Sequence, residues 1–241
     1  MSFTVVIPAR YASTRLPGKP LLDIAGKPML QHTWERAKTS GAARVVIATD
    51  DERILDAAKG FGAEAVMTAA THESGSDRIC EVADALALLD SDIVINVQAD
   101  EPLLPSEAID AVAQRLVENT QFGIATLCEA IDDEAEYIQP SAVKVVMDKF
   151  GRALYFSRAP IPAGTALPAE CFRHIGIYAY RVGVLRQFVG WDVAPIEEVE
   201  RLEQLRALYN GIPIHVSLSP AKIPAGVDTP ADLEAVRTFL A

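Results

Sequence analysis

With 241 residues, 50% of them apolar and 23% charged, the chain can bury a full-sized core without disulfides or a structural metal, and intrinsic disorder is excluded. No apolar run approaches the roughly 18 residues of a membrane span, and residues 1–12 carry no secretory pattern, so the expected compartment is the cytoplasm. A balance of 22 basic against 33 acidic residues gives a net charge of −11, which disfavours nucleic acid and anionic membranes as partners.

Taken in chain order, residues 3–7 predict a first strand, followed by a long loop and a helix over 28–39. A strand at Arg44–Thr49 leads into a helix at 51–59, and a helix at 78–89 leads into a strand at 93–97. Ser106–Glu118 reads as a helix, and 123–127, 143–147 and 175–180 read as strands. A helix over 197–209, a strand at Ile214–Leu218 and a last helix running to Leu240 complete the series. That last helix has a strong start signal, with Thr229 as cap, Pro230 in the first turn and Asp232 at the third position.

Several strands are apolar on consecutive residues, which indicates burial on both faces. Together with the strand–helix alternation this predicts an α/β fold, a Rossmann-like doubly wound, mostly parallel sheet with ligands beyond the carboxyl ends of its strands. One domain over 1–241 is expected, with a β-rich region at about 130–190 and an irregular loop at 159–170 that divides the sheet from a C-terminal region opening with FRHIGIYAYR. The cysteines, Cys80, Cys128 and Cys171, are too scattered for a disulfide frame or a zinc site and read as reduced thiols.

Charge is unevenly distributed. Residues 1–34 hold Arg10, Arg15, Lys19 and Lys27 against Asp23 alone, on a chain that is otherwise acidic. Three of these cations, with the amides near Ser13 and Gly18, lie in the loop directly after the first strand, a cradle for a small polyanion of triphosphate size. The alternative is chance clustering of solvated side chains. The loop lacks both GxGxxG and a P-loop, which disfavours hydride transfer and P-loop hydrolysis. Asp100, at the end of the strand over 93–97, is a hard oxygen ligand suited to Mg²⁺ or, equally, a turn-forming aspartate. Asp50 occupies the same position on its own strand and reads as a helix cap; Asp228, beside Thr229, reads by residue type as part of a cap or Asx-turn.

The motifs PARYASTRLPGKPL, ATDD, HESGSDR, NVQADEP, VKVVMD, ALYFSRAPIP, RHIGIYAYR, LEQLR and GVDTPADL run in order from one end of the chain to the other. In these the sequence resembles the 3-deoxy-manno-octulosonate cytidylyltransferases, the CMP-Kdo synthetases. The resemblance implies a fold of nucleotidyltransferase type and an enzyme that joins CTP to Kdo, giving CMP-Kdo and pyrophosphate for lipopolysaccharide synthesis. A Mg²⁺ requirement and a homodimer, with sugar binding and dimerisation at about 130–190, are implied with it.

Carried onto this sequence, the resemblance assigns Arg10, Ser13, Arg15 and Lys19 to the CTP phosphates. It assigns Arg78 and Gln98 to cytosine, with Ser74 nearby, and Asp100 and Asp228 to the metal. Arg158, His174, Tyr178, Glu203 and Gln204 are assigned to the sugar acid, with Arg158 pairing its carboxylate. By residue type alone, His174 and Tyr178 read as strand packing, and Glu203 and Gln204 as a solvated helix face. Three departures from the family pattern stand out. Ala99 replaces a glycine and is expected to need a conformation glycine reaches more readily, Ser76 and Asp77 replace a Thr-Glu pair, and the 159–172 loop is short. Competing readings are a cytidylyltransferase for 8-amino-Kdo or a sialic-acid-like sugar, a catalytically silent CTP-binding module, and a glycosyltransferase of similar fold.

Overall fold

A computed structural model of the chain describes residues 2–12, 16–164 and 167–240. In chain order its first half contains β1 (Thr4–Ala9), a 3-10 turn (Lys19–Leu21), β2 (Asp23–Ile24), β3 (Lys27–Pro28), α1 (Met29–Lys38), β4 (Arg44–Thr49), α2 (Glu52–Gly60), β5 (Glu64–Met67), α3 (Gly75–Ala85), β6 (Ile93–Asn96) and α4 (Ser106–Glu118). Then follow β7 (Ile124–Ala130), α5 (Glu134–Ile138), β8 (Lys144–Met147), β9 (Ala153–Ser157), β10 (Phe172–Arg181), α6 (Val182–Val189), α7 (Pro195–Glu200), α8 (Leu205–Tyr209), β11 (Ile214–Leu218) and α9 (Pro230–Leu240).

β1 is buried at every position and pairs in parallel with β4 on one side and β6 on the other. The sheet runs β11-β7-β10-β6-β1-β4-β5; β10 is antiparallel to both of its neighbours, and the other pairings along this path are parallel. The expected doubly wound, mostly parallel sheet is therefore observed. Its two faces carry separate cores, because alternate side chains of a strand point to opposite sides. Val5 and Ile7 join Leu30, Ile54 and Val112 of α1, α2 and α4 on one face. Val6 joins Ile79, Leu185 and Leu205 of α3, α6 and α8 on the other. Full burial of each such side chain contributes roughly 1.5–3 kcal/mol.

β1 has β4 on one side and β6 on the other, so the crossovers reverse between β1 and β6. A topological switch point of this kind opens a crevice beyond the carboxyl ends of the two strands. The loop after β1 and the turn after β6 meet there.

Three readings of the sequence are corrected. FRHIGIYAYR does not open a separate region: as β10 it lies inside the main sheet, and β8 and β9 continue the sheet from its first residues. The helix read at 197–209 is two helices, α7 and α8, broken at Arg201, whose φ is 54°. Leu202 and Leu205 stay buried across the break, so the apolar spacing is preserved although the helix is not. Asp50 does not cap α2. Asp51 does, accepting from the Arg53 amide at 3.0 Å, and Asp50 instead accepts from Nη2 of Arg78 at 3.0 Å. The cap read at Thr229 is present: its amide donates to Asp232 Oδ2 at 2.7 Å, and its hydroxyl accepts from the Asp232 amide at 3.3 Å. The three cysteines are free and buried, and burial pushes the Cys80 thiol up to about 11 and the Cys128 thiol up to about 12. No helix among the described residues is long and apolar enough to cross a membrane.

Candidate functional site

The loop after β1 folds back on itself. The Gly18 amide donates to the Tyr11 carbonyl at 3.2 Å, and Gly18 adopts φ 67° with Tyr11 against it. An added Cβ there would be strained in backbone and 3.1 Å from the Tyr11 hydroxyl, so glycine is strongly favoured at this position. The turn delivers Lys19 into the crevice. Its Nζ donates to Asp100 Oδ2 at 2.5 Å and to Asp228 Oδ1 at 3.0 Å. Burial works against the Lys19 charge, but Asp100 and Asp228 together outweigh it and hold the pKa above the ordinary lysine value.

Asp100 is presented by the turn after β6, and Asp228 by the segment leading into α9. The Val227 amide donates to the Asp100 carbonyl at 2.9 Å, laying that segment on the β6 turn. Gly226 permits the approach, since a Cβ there would stand 2.8 Å from Glu101 Oε1 and 3.2 Å from the Asp100 carbonyl oxygen. Ala99 is not among the described non-glycine residues with positive φ, so the expected need for a glycine-like conformation is not met there. The Ala99 carbonyl accepts from the buried Thr33 hydroxyl at 3.1 Å, which fixes the turn from behind.

Two clefts meet at this pair of aspartates. One of about 340 Å³ is lined by Pro8, Arg10, Lys19 and Gln98 as well as Asp100 and Asp228. The other, about 820 Å³, shares both aspartates and extends to Gln139, Ser141, Arg173 and His174. Arg10 donates to the carbonyls of Glu73 at 3.0 Å and His72 at 3.2 Å, tying the β1 loop to the approach of α3. Ser13 and Arg15 lie outside the described residues.

Ser74 is the N-cap of α3. It accepts from the Asp77 amide at 3.1 Å while Asp77 accepts from the Ser74 amide at 3.0 Å, a reciprocal cap that accounts for Asp77. Ser76 donates to Glu203 Oε2 at 3.0 Å. Arg78 is fully buried and bonded to Thr68 and Asp50, and among the described residues its Nε has no hydrogen-bond partner.

His174 and Tyr178 flank a bulge in β10, where the register against β7 shifts between Ile175 and Tyr178. The Thr126 hydroxyl pins the bulge, lying 2.7 Å from the Ile177 carbonyl and 3.0 Å from both the Ile175 carbonyl and His174 Nε2. A hydroxyl that donates to a carbonyl accepts from His174 Nε2–H, which leaves Nδ1 as the acceptor. The ring packs edge-on against Phe156, with centroids 4.9 Å apart, and tilted against Tyr178 at 5.4 Å. Burial pushes the His174 imidazole down to about 3 and the Tyr178 hydroxyl well above its usual range, so both are neutral at physiological pH.

Glu203 and Gln204 lie at the break between α7 and α8 and not on a solvated helix face. Among the described residues, buried Gln204 Nε2 has no hydrogen-bond partner, and Glu203 Oε1 has none either, lying 4.0 Å from Arg206 Nη2; burial raises the Glu203 pKa. Arg158 does not line either cleft. It donates to the carbonyls of Glu200 at 2.9 Å, Pro140 at 3.1 Å and Arg201 at 3.3 Å, so its fork is engaged by the backbone and not held open for a carboxylate. Sequence reasoning missed Thr126 and the pairing of Asp50 with Arg78. Nothing in the residue pattern marks Thr126, whereas Asp50 carried a signal in its strand-end position.

Among the described residues no group of three or more His, Cys, Asp or Glu side chains is arranged to hold a metal ion. Mg²⁺ accepts a smaller set, one or two carboxylates plus substrate phosphates. Asp100 and Asp228 fit that set, because both already contact one cation, the Lys19 ammonium.

A cytidylyltransferase family model matches residues 4–217. The chain is 56% identical to a 3-deoxy-manno-octulosonate cytidylyltransferase of Hahella chejuensis (strain KCTC 2396), covering 100% of this chain and 98% of the relative. It is equally 56% identical to the protein of the same name from Marinobacter nauticus (strain ATCC 700491 / DSM 11845 / VT8), covering 100% and 97%. A solved structure of CMP:2-keto-3-deoxy-manno-octonic acid synthetase complexed with CTP superposes with a TM-score of 0.92 at 46% identity, covering 99% of this chain and 97% of that one.

Proposed function

The chain belongs to the 3-deoxy-manno-octulosonate cytidylyltransferases, and from that membership we propose how its residues divide the work of the reaction. It is a cytidylyltransferase that couples CTP and Kdo to CMP-Kdo and pyrophosphate. The smaller cleft takes the nucleotide and the larger one the sugar acid. The observation that carries this division is that the two clefts meet at Asp100 and Asp228.

Arg10 and Lys19, with Ser13 and Arg15 of the same loop, hold the triphosphate; the arginines supply planar forks and Lys19 a compact charge. Gln98, which lines the smaller cleft, reads the cytosine edge; Arg78, fully buried and bonded to Thr68 and Asp50, is assigned to cytosine by the family resemblance alone, and Ser74 caps α3. Asp100 and Asp228 would hold Mg²⁺, which when bound offsets charge on the phosphates and lowers the pKa of the attacking hydroxyl. The sugar's anomeric C2 hydroxyl displaces pyrophosphate from the α-phosphorus in line, and no enzyme nucleophile takes part. The protein's contribution is positioning and charge compensation. On the sugar side, His174, in the wall of the larger cleft, offers a neutral acceptor, while Tyr178, Glu203 and Gln204, which line neither cleft, are assigned to the sugar acid by the family resemblance alone. Arg158 acts in this reading through the Pro140 and Glu200 backbone.

The same reading places the enzyme in the cytoplasm, as a homodimer serving lipopolysaccharide synthesis. Its test is pyrophosphate release from CTP with a panel of Kdo, 8-amino-Kdo and sialic acid, with and without Mg²⁺. Release that depends on both Kdo and Mg²⁺ is expected; preference for another sugar, or CTP binding without turnover, would overturn it.

A further inference from the structure

Lys144, on β8, is fully buried and among the described residues makes no ion pair. Its ammonium donates instead to three backbone carbonyls, Ala142 at 2.6 Å, Arg158 at 2.7 Å and Gln139 at 2.9 Å. An ammonium has three donors, so each is engaged. Burying a charge is costly unless hydrogen bonds compensate, and an apolar side chain would avoid that cost. The retained charge therefore calls for a reason, and the acceptors supply one.

Two of the three carbonyls belong to the 139–142 loop, and Gln139, Ser141, Ala142 and Val143 line the larger cleft. Arg158 draws on the same loop through the Pro140 carbonyl at 3.1 Å. The carbonyls of residues 139, 140 and 142 are thus held by two cations behind the wall. The next residue continues the connection: the Val143 carbonyl accepts the His174 amide at 2.8 Å, and His174 faces the same cleft.

We propose that Lys144 is a positioning residue for the sugar-acid cleft, whose ammonium keeps the 139–142 wall set, with its carbonyl oxygens withdrawn, before the anionic sugar arrives. The inference rests on the assignment of the larger cleft to the sugar acid. Without the ammonium, the Ala142 and Arg158 carbonyls lose their donor and the Gln139 carbonyl keeps only the Ala142 amide at 3.2 Å, so water in the cleft becomes the competing donor. Turning toward that water would present negative dipole ends to an anionic substrate, at no cost to the nucleotide cleft.

The experiment compares the wild type with Lys144→Met in steady-state kinetics, and follows hydrogen exchange of residues 139–143 in the substrate-free wild type. The variant is expected to raise the KM for Kdo about 10-fold or more while the KM for CTP stays within roughly twofold. An unchanged KM for Kdo, or equal rises in both, would overturn the inference. The exchange measurement needs no variant and so holds even where Lys144→Met does not fold. Protection of 139–143 by about 100-fold or more over an open chain is expected, and open-chain exchange that slows only when Kdo is added would overturn the inference. Failure of the functional assignment itself is separately visible, as wild-type protein that releases no pyrophosphate from CTP and Kdo.

Discussion

Asp100 and Asp228 reach one ammonium from distant parts of the chain, with carboxylate oxygens 2.5 and 3.0 Å from Lys19 Nζ. Two like charges so placed repel unless a cation lies between them. Here Lys19 supplies that cation; in the proposed reaction Mg²⁺ would take its place and leave the ammonium to the phosphates.

Lys19→Met therefore removes the charge that balances the aspartates and, with it, the proposed phosphate contact. A fall of about 100-fold or more in kcat/KM is expected, roughly 3 kcal/mol of transition-state stabilisation, measured by pyrophosphate release at saturating Kdo. An activity within threefold of wild type, about 0.6 kcal/mol, would remove Lys19 from the site.

Gly226→Ala tests how Asp228 is brought to Asp100. The new methyl would stand 2.8 Å from Glu101 Oε1 and 3.2 Å from the Asp100 carbonyl oxygen, so the Glu101 carboxyl must turn aside and the Asp228 segment give by a few tenths of an ångström against the β6 turn. The expected result is a folded protein whose half-saturating Mg²⁺ concentration rises about 10-fold, since separating the ligands weakens a shared ion. An unchanged Mg²⁺ requirement would show that the close approach does not matter.

Glu197 and Arg206 form a bidentate buried pair at the α7–α8 break, with contacts of 2.6 and 2.9 Å. Removing Glu197 leaves the buried Arg206 charge with Glu203 as its only ion-pair partner among the described residues, 4.0 Å away and without a hydrogen bond to it. Glu197→Ala should lower the unfolding free energy by about 3–5 kcal/mol in urea denaturation. A loss below roughly 1 kcal/mol would show that water reaches the pair.

The pH dependence follows from His174. Burial holds its folded pKa at about 3, whereas in the unfolded chain it titrates near the ordinary value of about 6.5. The unfolded state therefore binds the extra proton first as the pH falls. Stability contributed by the neutral ring is present above about pH 6.5 and is lost progressively down to about pH 3. His174→Gln should flatten the decline in urea midpoint between about pH 6.5 and 4.5 relative to wild type. Parallel declines in the two proteins would contradict the assignment.

Much of this fold is legible in the sequence because β1, β4 and β6 are buried on both faces and read as unbroken apolar runs. β5 escapes notice because, as an edge strand, it is only half buried and carries no such run. The break at Arg201 is hidden for a different reason, since Leu202 and Leu205 keep helical spacing while the backbone leaves the helix. Asp50 and Asp51 are chemically identical neighbours, and only the backbone decides which of them caps α2 and which holds Arg78. The basic loop announces its chemistry through charge alone. The meeting of Asp100 with Asp228 leaves no trace in local spacing; the family resemblance supplied it, and the Lys19 contacts bear out that the two carboxylates converge. Arg158 shows the opposite outcome, a residue whose type suits a carboxylate while its hydrogen bonds go to the backbone.

The position of Mn²⁺, located by anomalous scattering in crystals grown with CTP, tests the shared-ion arrangement most directly. One peak is predicted at coordination distance, roughly 2.0–2.2 Å, from a carboxylate oxygen of both Asp100 and Asp228, with the Lys19 ammonium shifted toward the phosphates. A manganese ion bound to the nucleotide but out of reach of either carboxylate would contradict it.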